Sequence, residues 1–389
     1  MRGPAGMLIV LFLSAVAAAA QAAAADRFVP SDPKFVVANV KTALPDPPLR
    51  DLIARWRQNP SEETASVALA EGFLERAHRL REPMYIGRAE AVLAAAVRRP
   101  AASSTEQRLY AQTLQYRHDF SAAEGVLGNA LRAAPYDAAA RAQRASLRLV
   151  RGDFAGARAD CSRLLSSGGA GQAIALACLA QVQASSDRLS QAQSLLAAYP
   201  APPVHDAAIR AYWLTVRGEL FERANQLDRA IVDYGAALAL EPQNDSIRAT
   251  LADALLARGE RHDARELLNV ERPGLALLVR RAACASGAER ETLRAQAVAW
   301  LALERARGDS VHAREAALLA LDDGDAAGAL AAAQANFRAQ KELADVRLLA
   351  RAAVAAHDPD ARQQLLEWLR STGYRDAVTE NILDGASAG

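Results

Sequence analysis

Aromatic side chains are scarce, 5% of 389 residues, although 51% of the chain is hydrophobic. A large core is available, but small and aliphatic groups must fill it, which favours close helix-on-helix contact. A charge excess is lacking too. Against 46 Lys plus Arg stand 45 Asp plus Glu, a formal net charge of +1, so no global basic field exists to hold a phosphate backbone and nucleic acid is not an expected partner. Lysine occurs only at Lys34, Lys41 and Lys341, and no function follows from that.

The motifs of common chemistries are missing as well. The six histidines, His78, His118, His205, His262, His312 and His357, stand far apart, with no HExxH and no close His/Cys pair to put two ligands on one helical turn. In AHDPDAR (356–362) the residues His357, Asp358 and Asp360 fall where a turn is expected, and Asp and Pro are ordinary there. GGAG (168–171) lacks the Lys and Ser or Thr of a phosphate loop, and no strand precedes it. No GxSxG occurs. No catalytic residue, cofactor or metal is expected.

What is present begins with a signal-like leader. Arg2 precedes the apolar stretch 8–20, and AQAAAAD (20–26) offers small residues for cleavage before Asp26. The apolar stretch is shorter than the roughly 20 residues of a membrane span; the alternative is an uncleaved anchor helix, lengthened by the alanine run. Cleavage implies export, with residues 1–25 removed, no stable membrane span afterwards and an oxidising, periplasmic setting. Residues 26–60 are proline-rich and read as an extended lead-in with one short helix near Leu52 to Trp56.

From residue 61 the apolar pattern has a period of 3.6 and no alternating run, so the body is all helix. It also repeats. Ala89, Ala123, Ala157, Ala192, Ala230 and Ala264 open one local pattern at intervals of 34, 34, 35, 38 and 34 residues. Four residues after each stands a larger residue: Leu93, Leu127, Cys161, Leu196, Tyr234 and Leu268. Twelve before the last five stands another small one: Ala111, Ala145, Ala180, Gly218 and Ala252. Helix-breaking turns lie between, as in RHDF (117–120) and RGDF (151–154). A stride sustained in this way marks stacked helical hairpins, each needing its neighbours to bury an apolar face.

The pattern resembles the tetratricopeptide repeat, 34 residues folded as two antiparallel helices. Over 211–244 the family-type positions are Leu214, Gly218, Phe221, Ala230, Tyr234, Ala237 and Pro242; over 104–137 they are Tyr110, Ala111, Leu114, Ala123, Leu127, Ala130 and Pro135. The resemblance spans 61–274, continues in degenerate form through pairs at 275–306, 310–341 and 343–371, and leaves a C-terminal tail over 373–389, frayed over DGASAG (384–389). Two departures stand out. Bulky apolar positions carry Arg141, Arg144 and Arg148, and HRLREPMYIGR (78–88) predicts a loop about seven residues longer than usual.

The resemblance implies an all-α right-handed superhelical solenoid, binding a protein or peptide in a concave groove lined by the first helix of each pair. The groove positions are then Arg108, Gln112, Gln115 and Tyr116, Ser146, Leu149, Val150 and Gln181, and Tyr212, Thr215, Glu219, Glu222, Arg223, Ser246 and Asp253. The alternative is that they are solvated helix faces. The Lys and Asn set that grips a terminal carboxylate in some members is absent. Cys161 and Cys178 fall on consecutive helices, where a disulfide or two buried thiols are both open, with Cys284 a lone thiol. The expected role is that of a non-catalytic adaptor or assembly factor in the cell envelope. Two other readings are self-capture of 26–45 by the groove and an enzyme site in the C-terminal pairs using His312, Glu315 or His357.

Overall fold

The computed structural model of the protein describes residues 47–80, 82–203, 206–307 and 311–385; the leader and the lead-in up to residue 46 lie outside them. Contacts divide the chain near residue 47, and the helical unit is the one from residue 48 onward. Among the described residues there are α-helices, one 3-10 turn at Leu165–Ser167 and no strand. Helix α1 (Pro47–Gln58) is followed by nine hairpins: α2 (Glu63–Leu80) with α3 (Met84–Val97), α4 (Ser104–Tyr116) with α5 (Phe120–Ala133), α6 (Ala138–Arg151) with α7 (Phe154–Leu164), α8 (Gly169–Ala184) with α9 (Leu189–Ala197), and α10 (Ala207–Arg223) with α11 (Leu227–Leu240). Then come α12 (Asp245–Arg258) with α13 (Arg261–Leu267), α14 (Leu275–Cys284) with α15 (Gly287–Arg307), α16 (Ala313–Asp322) with α17 (Ala326–Ala339), and α18 (Leu343–Ala355) with α19 (Pro359–Thr372). A last helix, α20 (Ala377–Gly385), closes the series.

The recurring small residues sit where the stride requires. Ala89, Ala123, Ala157, Ala192, Ala230 and Ala264 are all 0% exposed, and the larger residue one turn beyond each is buried beside it. An added Cβ at Gly218 would stand 2.6 Å from Tyr234 Cε1, so the tyrosine of α11 lies directly against the backbone of α10. First helices also touch the next first helix, as α4 touches α6, α6 touches α8 and α8 touches α10, which forms a shared first-helix face there. The architecture is an all-α solenoid of helix pairs.

The turns within hairpins are equally regular. A residue with positive φ ends the first helix at His118, Gly152, Asn225, Gly259, Gly324 and His357. In four of these turns an aspartate follows and accepts from the backbone N–H three residues on: Asp119 from Ala122, Asp153 from Gly156, Asp325 from Gly328 and Asp358 from Ala361, at 2.8–3.2 Å. A left-handed residue terminates one helix and an Asx cap starts the next. His118 and His357 therefore have a local structural role.

One expectation changes. The long loop at 78–88 is absent: α2 runs to Leu80 and α3 starts at Met84, the additional residues continuing the helix. Within the C-terminal tail α20 is anchored, because Thr379 N and Oγ1 both donate to Asp376 Oδ2, at 2.9 and 2.7 Å, and Thr379 and Leu383 are buried. The three arginines of α6 stand where the repeat carries bulky apolar residues. They converge on Asp160 of α7, which is 0% exposed: Arg144 binds it through Nε and Nη2 at 2.8 and 2.6 Å, Arg148 at 2.9 Å and Arg141 at 3.4 Å. Beside Asp160, Cys161 forms a disulfide with Cys178 of α8, the Cα atoms 6.1 Å apart, and Cys284 is the free thiol.

Candidate functional site

The first-helix face has an open part and a covered part. In the open part an apolar cleft of about 250 Å³ runs across α6, α8 and α10, lined by Ala142, Ser146, Ile174, Cys178, Ala208, Ile209 and Tyr212. The Tyr212 hydroxyl donates to Gln181 Oε1 at 2.9 Å, and Gln181 Nε2 donates to Glu219 at 3.1 Å, which fixes the phenol at the edge of the cleft. Burial, with Glu219 nearby, raises the Tyr212 pKa and keeps the phenol protonated. Gln115 pairs with the Gln143 side chain at 2.8 Å, and Tyr116 is 44% exposed. Arg108 and Gln112 are half-buried and Ser246 is exposed, while the Thr215 hydroxyl returns to the Ala211 carbonyl at 2.8 Å. Apolar contact edged by neutral amides suits an extended backbone carrying an aliphatic side chain.

The C-terminal end of α10 differs from the expected groove. Arg223 does not face open solvent. It is 4% exposed, with Nη2 donating to the Tyr374 hydroxyl at 2.8 Å, Nη1 to the Arg375 carbonyl at 3.3 Å and Nε to Glu219 at 3.1 Å. Glu222 accepts from the Tyr234 hydroxyl at 2.8 Å and pairs with Arg347 of α18. Burial raises the Glu222 pKa, against the opposing pull of Arg347. Asp253 is held by Arg280 Nε and Nη2 at 2.8 and 2.7 Å. Thus Glu222 and Arg223, expected to meet a partner, are engaged by the chain's own C-terminal helices. Sequence reasoning had no signal for this, since the contacts join residues more than 120 positions apart.

His118 and His312 are engaged within the chain. Gln340 Nε2 lies 3.0 Å from His118 Nδ1, an amide donor facing a ring nitrogen that must be unprotonated to accept. Burial, with charge from His312 and Arg314, lowers the His118 pKa to about 4, against the opposite pull of Glu315 and Asp345. The sign follows by linkage: between about pH 6.5 and 4 the unfolded chain binds the proton that the folded chain refuses, so stability is complete above this window and falls with pH through it. His118→Asn, with the residue type that Asn225 supplies at the equivalent turn, is expected to make the loss of stability between pH 7 and pH 5 smaller by about 1–2 kcal/mol, read from urea midpoints. His312 pairs with Glu304 and Glu315 lies 3.7 Å from Arg280. Among the described residues no three His, Cys, Asp or Glu side chains are gathered as a metal would need. No helix among them is long and apolar enough to cross a membrane.

Residues 223–270 match the family model described as tetratricopeptide repeat. The likeness to the tetratricopeptide repeat is carried by this stretch. The matched stretch takes in α11, α12 and α13, and the hairpins on either side reproduce its buried small residues and its turn. A comparison with curated protein sequences finds no match. Solved structures similar to this chain include the Cut9–Hcn1 hetero-tetramer of the APC/C, at 15% identity over 84% of this chain and 63% of that one, with a TM-score of 0.49. The tetratricopeptide-repeat domain of P58(IPK) is similar at 16% identity over 82% and 97%, with a TM-score of 0.26. A tetratricopeptide-repeat protein of Parabacteroides merdae is similar at 16% identity over 82% and 98%, with a TM-score of 0.25. The chain spans less than two thirds of the first of these.

Proposed function

We propose that the protein is an exported, non-catalytic repeat scaffold that binds an extended segment of another protein, and that it serves an assembly in the bacterial cell envelope. The observation that carries the binding role is the cleft across α6, α8 and α10: three successive first helices present small and aliphatic side chains there, with amides at the edge and Tyr212 held in place. Export is supported by the leader pattern of residues 1–26, and cleavage before Asp26 would leave a mature chain without that apolar stretch.

A photocrosslinking residue placed at Ser146 in the native host tests the binding role. One recurrent protein is expected to be captured there, with yield reduced at least tenfold by Ile209→Asp, which puts a charge into the apolar cleft, and with no capture of that protein from Val232 on the outer side of α11, which is 69% exposed. Equal capture from both positions, or indifference to Ile209→Asp, would remove the assignment of the cleft. N-terminal sequencing of the protein recovered from the envelope fraction tests export: a mature chain starting near Asp26 is expected, and recovery from the cytoplasm with Met1 intact would refute it.

Self-capture by residues 26–45 concerns a segment outside the described residues. Part of the groove is taken by another segment of the chain, through Arg347 and Tyr374.

A further inference from the structure

Within the solenoid, neighbouring hairpins are joined by continuous aliphatic clusters, such as the one that runs from Ala211 through Tyr234 to Ala264. The contact between the C-terminal pair and the earlier first helices is built differently. Arg223 meets Tyr374, Arg347 meets Glu222, Gln340 meets His118, and the Lys341 N–H donates to the Val150 carbonyl at 2.7 Å. Its apolar component is local: Phe154 packs on the buried Tyr374 at 5.9 Å between centroids and on the cluster that also holds Trp368, Ala339 packs on the core of the early hairpins, and the Arg223 guanidinium stacks over the Tyr374 ring at 4.9 Å.

Much of this seam is polar. A buried ion pair gives back in desolvation most of what its attraction provides, and when both partners return to water together no charge is left stranded. Opening the seam is therefore much easier than separating two hairpins that share an aliphatic core. The covered surface is also the continuation of the open one, since Tyr212, Glu219 and Arg223 follow one another at helical spacing on a single face of α10.

We propose that the C-terminal end of the solenoid, in which residues 340–376 share one aliphatic cluster with α16 and α17 and move with them, is a releasable internal occupant of the first-helix face, so that the protein has the closed form described above and an open form in which Glu219, Glu222 and Arg223 are free for a partner. The regulatory meaning rests on the binding role proposed above; the two-state seam does not.

Spin labels at Gly125→Cys, where an added side chain meets nothing, and at Gln364→Cys on exposed α19 report the seam by pulsed electron resonance in the full chain with Cys284→Ser and the native disulfide kept. A single distance is expected at low salt. In Arg347→Ala/Tyr374→Ala a second, longer distance should appear, with the open-to-closed ratio raised about tenfold or more and helical circular dichroism unchanged. The otherwise unaltered labelled protein in about 1 M salt should shift the same way, because salt screens the ionic contacts, and it serves if the double variant does not fold. The proposal is overturned if neither arm shows a longer distance, or if the distance lengthens only together with loss of helix. A photocrosslinker at Glu219 separates the two readings: opening without gain of capture keeps the seam and removes the binding role, whereas capture unchanged by opening removes the regulation.

Discussion

Asp160→Asn is expected to destabilise the protein by about 3–5 kcal/mol, read as a lower urea or thermal midpoint. Asp160 is completely buried and is the acceptor for guanidinium groups of Arg141, Arg144 and Arg148, whose side chains are only 12–19% exposed. The asparagine has nearly the same shape but no charge, and its amide N–H groups would point at donors. Arginine cannot shed its proton to relieve the mismatch. The control is Asp263→Asn, a largely exposed position whose carboxylate lies 3.3 Å from the exposed His262 ring, where the change should stay within about 0.5 kcal/mol. Equal small effects at both positions would show that α6 and α7 do not depend on this buried charge cluster.

The second large effect is expected at the contact between α10 and α11. Tyr234→Ala empties the space against Gly218 and leaves Glu222 without the tyrosine hydroxyl, and should cost about 3–5 kcal/mol. Gly218→Ala forces the opposite error. Its Cβ would stand 2.6 Å from Tyr234 Cε1 and 2.8 Å from Cδ1, and overpacking of this kind costs about 1–3 kcal/mol even after the helical preference of alanine is credited. Combining Gly218→Ala with Tyr234→Leu should cost less than the sum of the single changes by about 1 kcal/mol or more, since the smaller side chain makes room for the methyl group. Strict additivity in that cycle would mean that the two residues do not pack as a pair.

These residues also show what the sequence could and could not reveal. The stride of small residues was legible because a helix that packs closely needs one at a fixed turn, and Ala123, Ala157 and Ala230 are buried accordingly. The turns were legible through their Gly, His and Asp residues. Asp160 was not, although its three arginines stand one turn apart in plain view, because an acid on the paired helix is recognised only once the register of that pair is known. The cleft at Tyr212 was visible only as positions on a face. The fates of Glu222 and Arg223 were not visible at all: they depend on where the chain returns after more than 120 residues, and local periodicity carries no record of such a return.

The bridge between Cys161 and Cys178 has a mechanical consequence. Hairpins in series peel off one after another when a chain is pulled from its two termini, each released length adding to the extension. Here the applied force bypasses the span between the two sulfur atoms, 17 positions along the sequence, so α7 and α8 stay tethered to each other at that point while the hairpins on both sides unravel. Under tension the molecule should behave as two springs joined by a knot, and reduction should lengthen its final contour by the span that the knot had withheld.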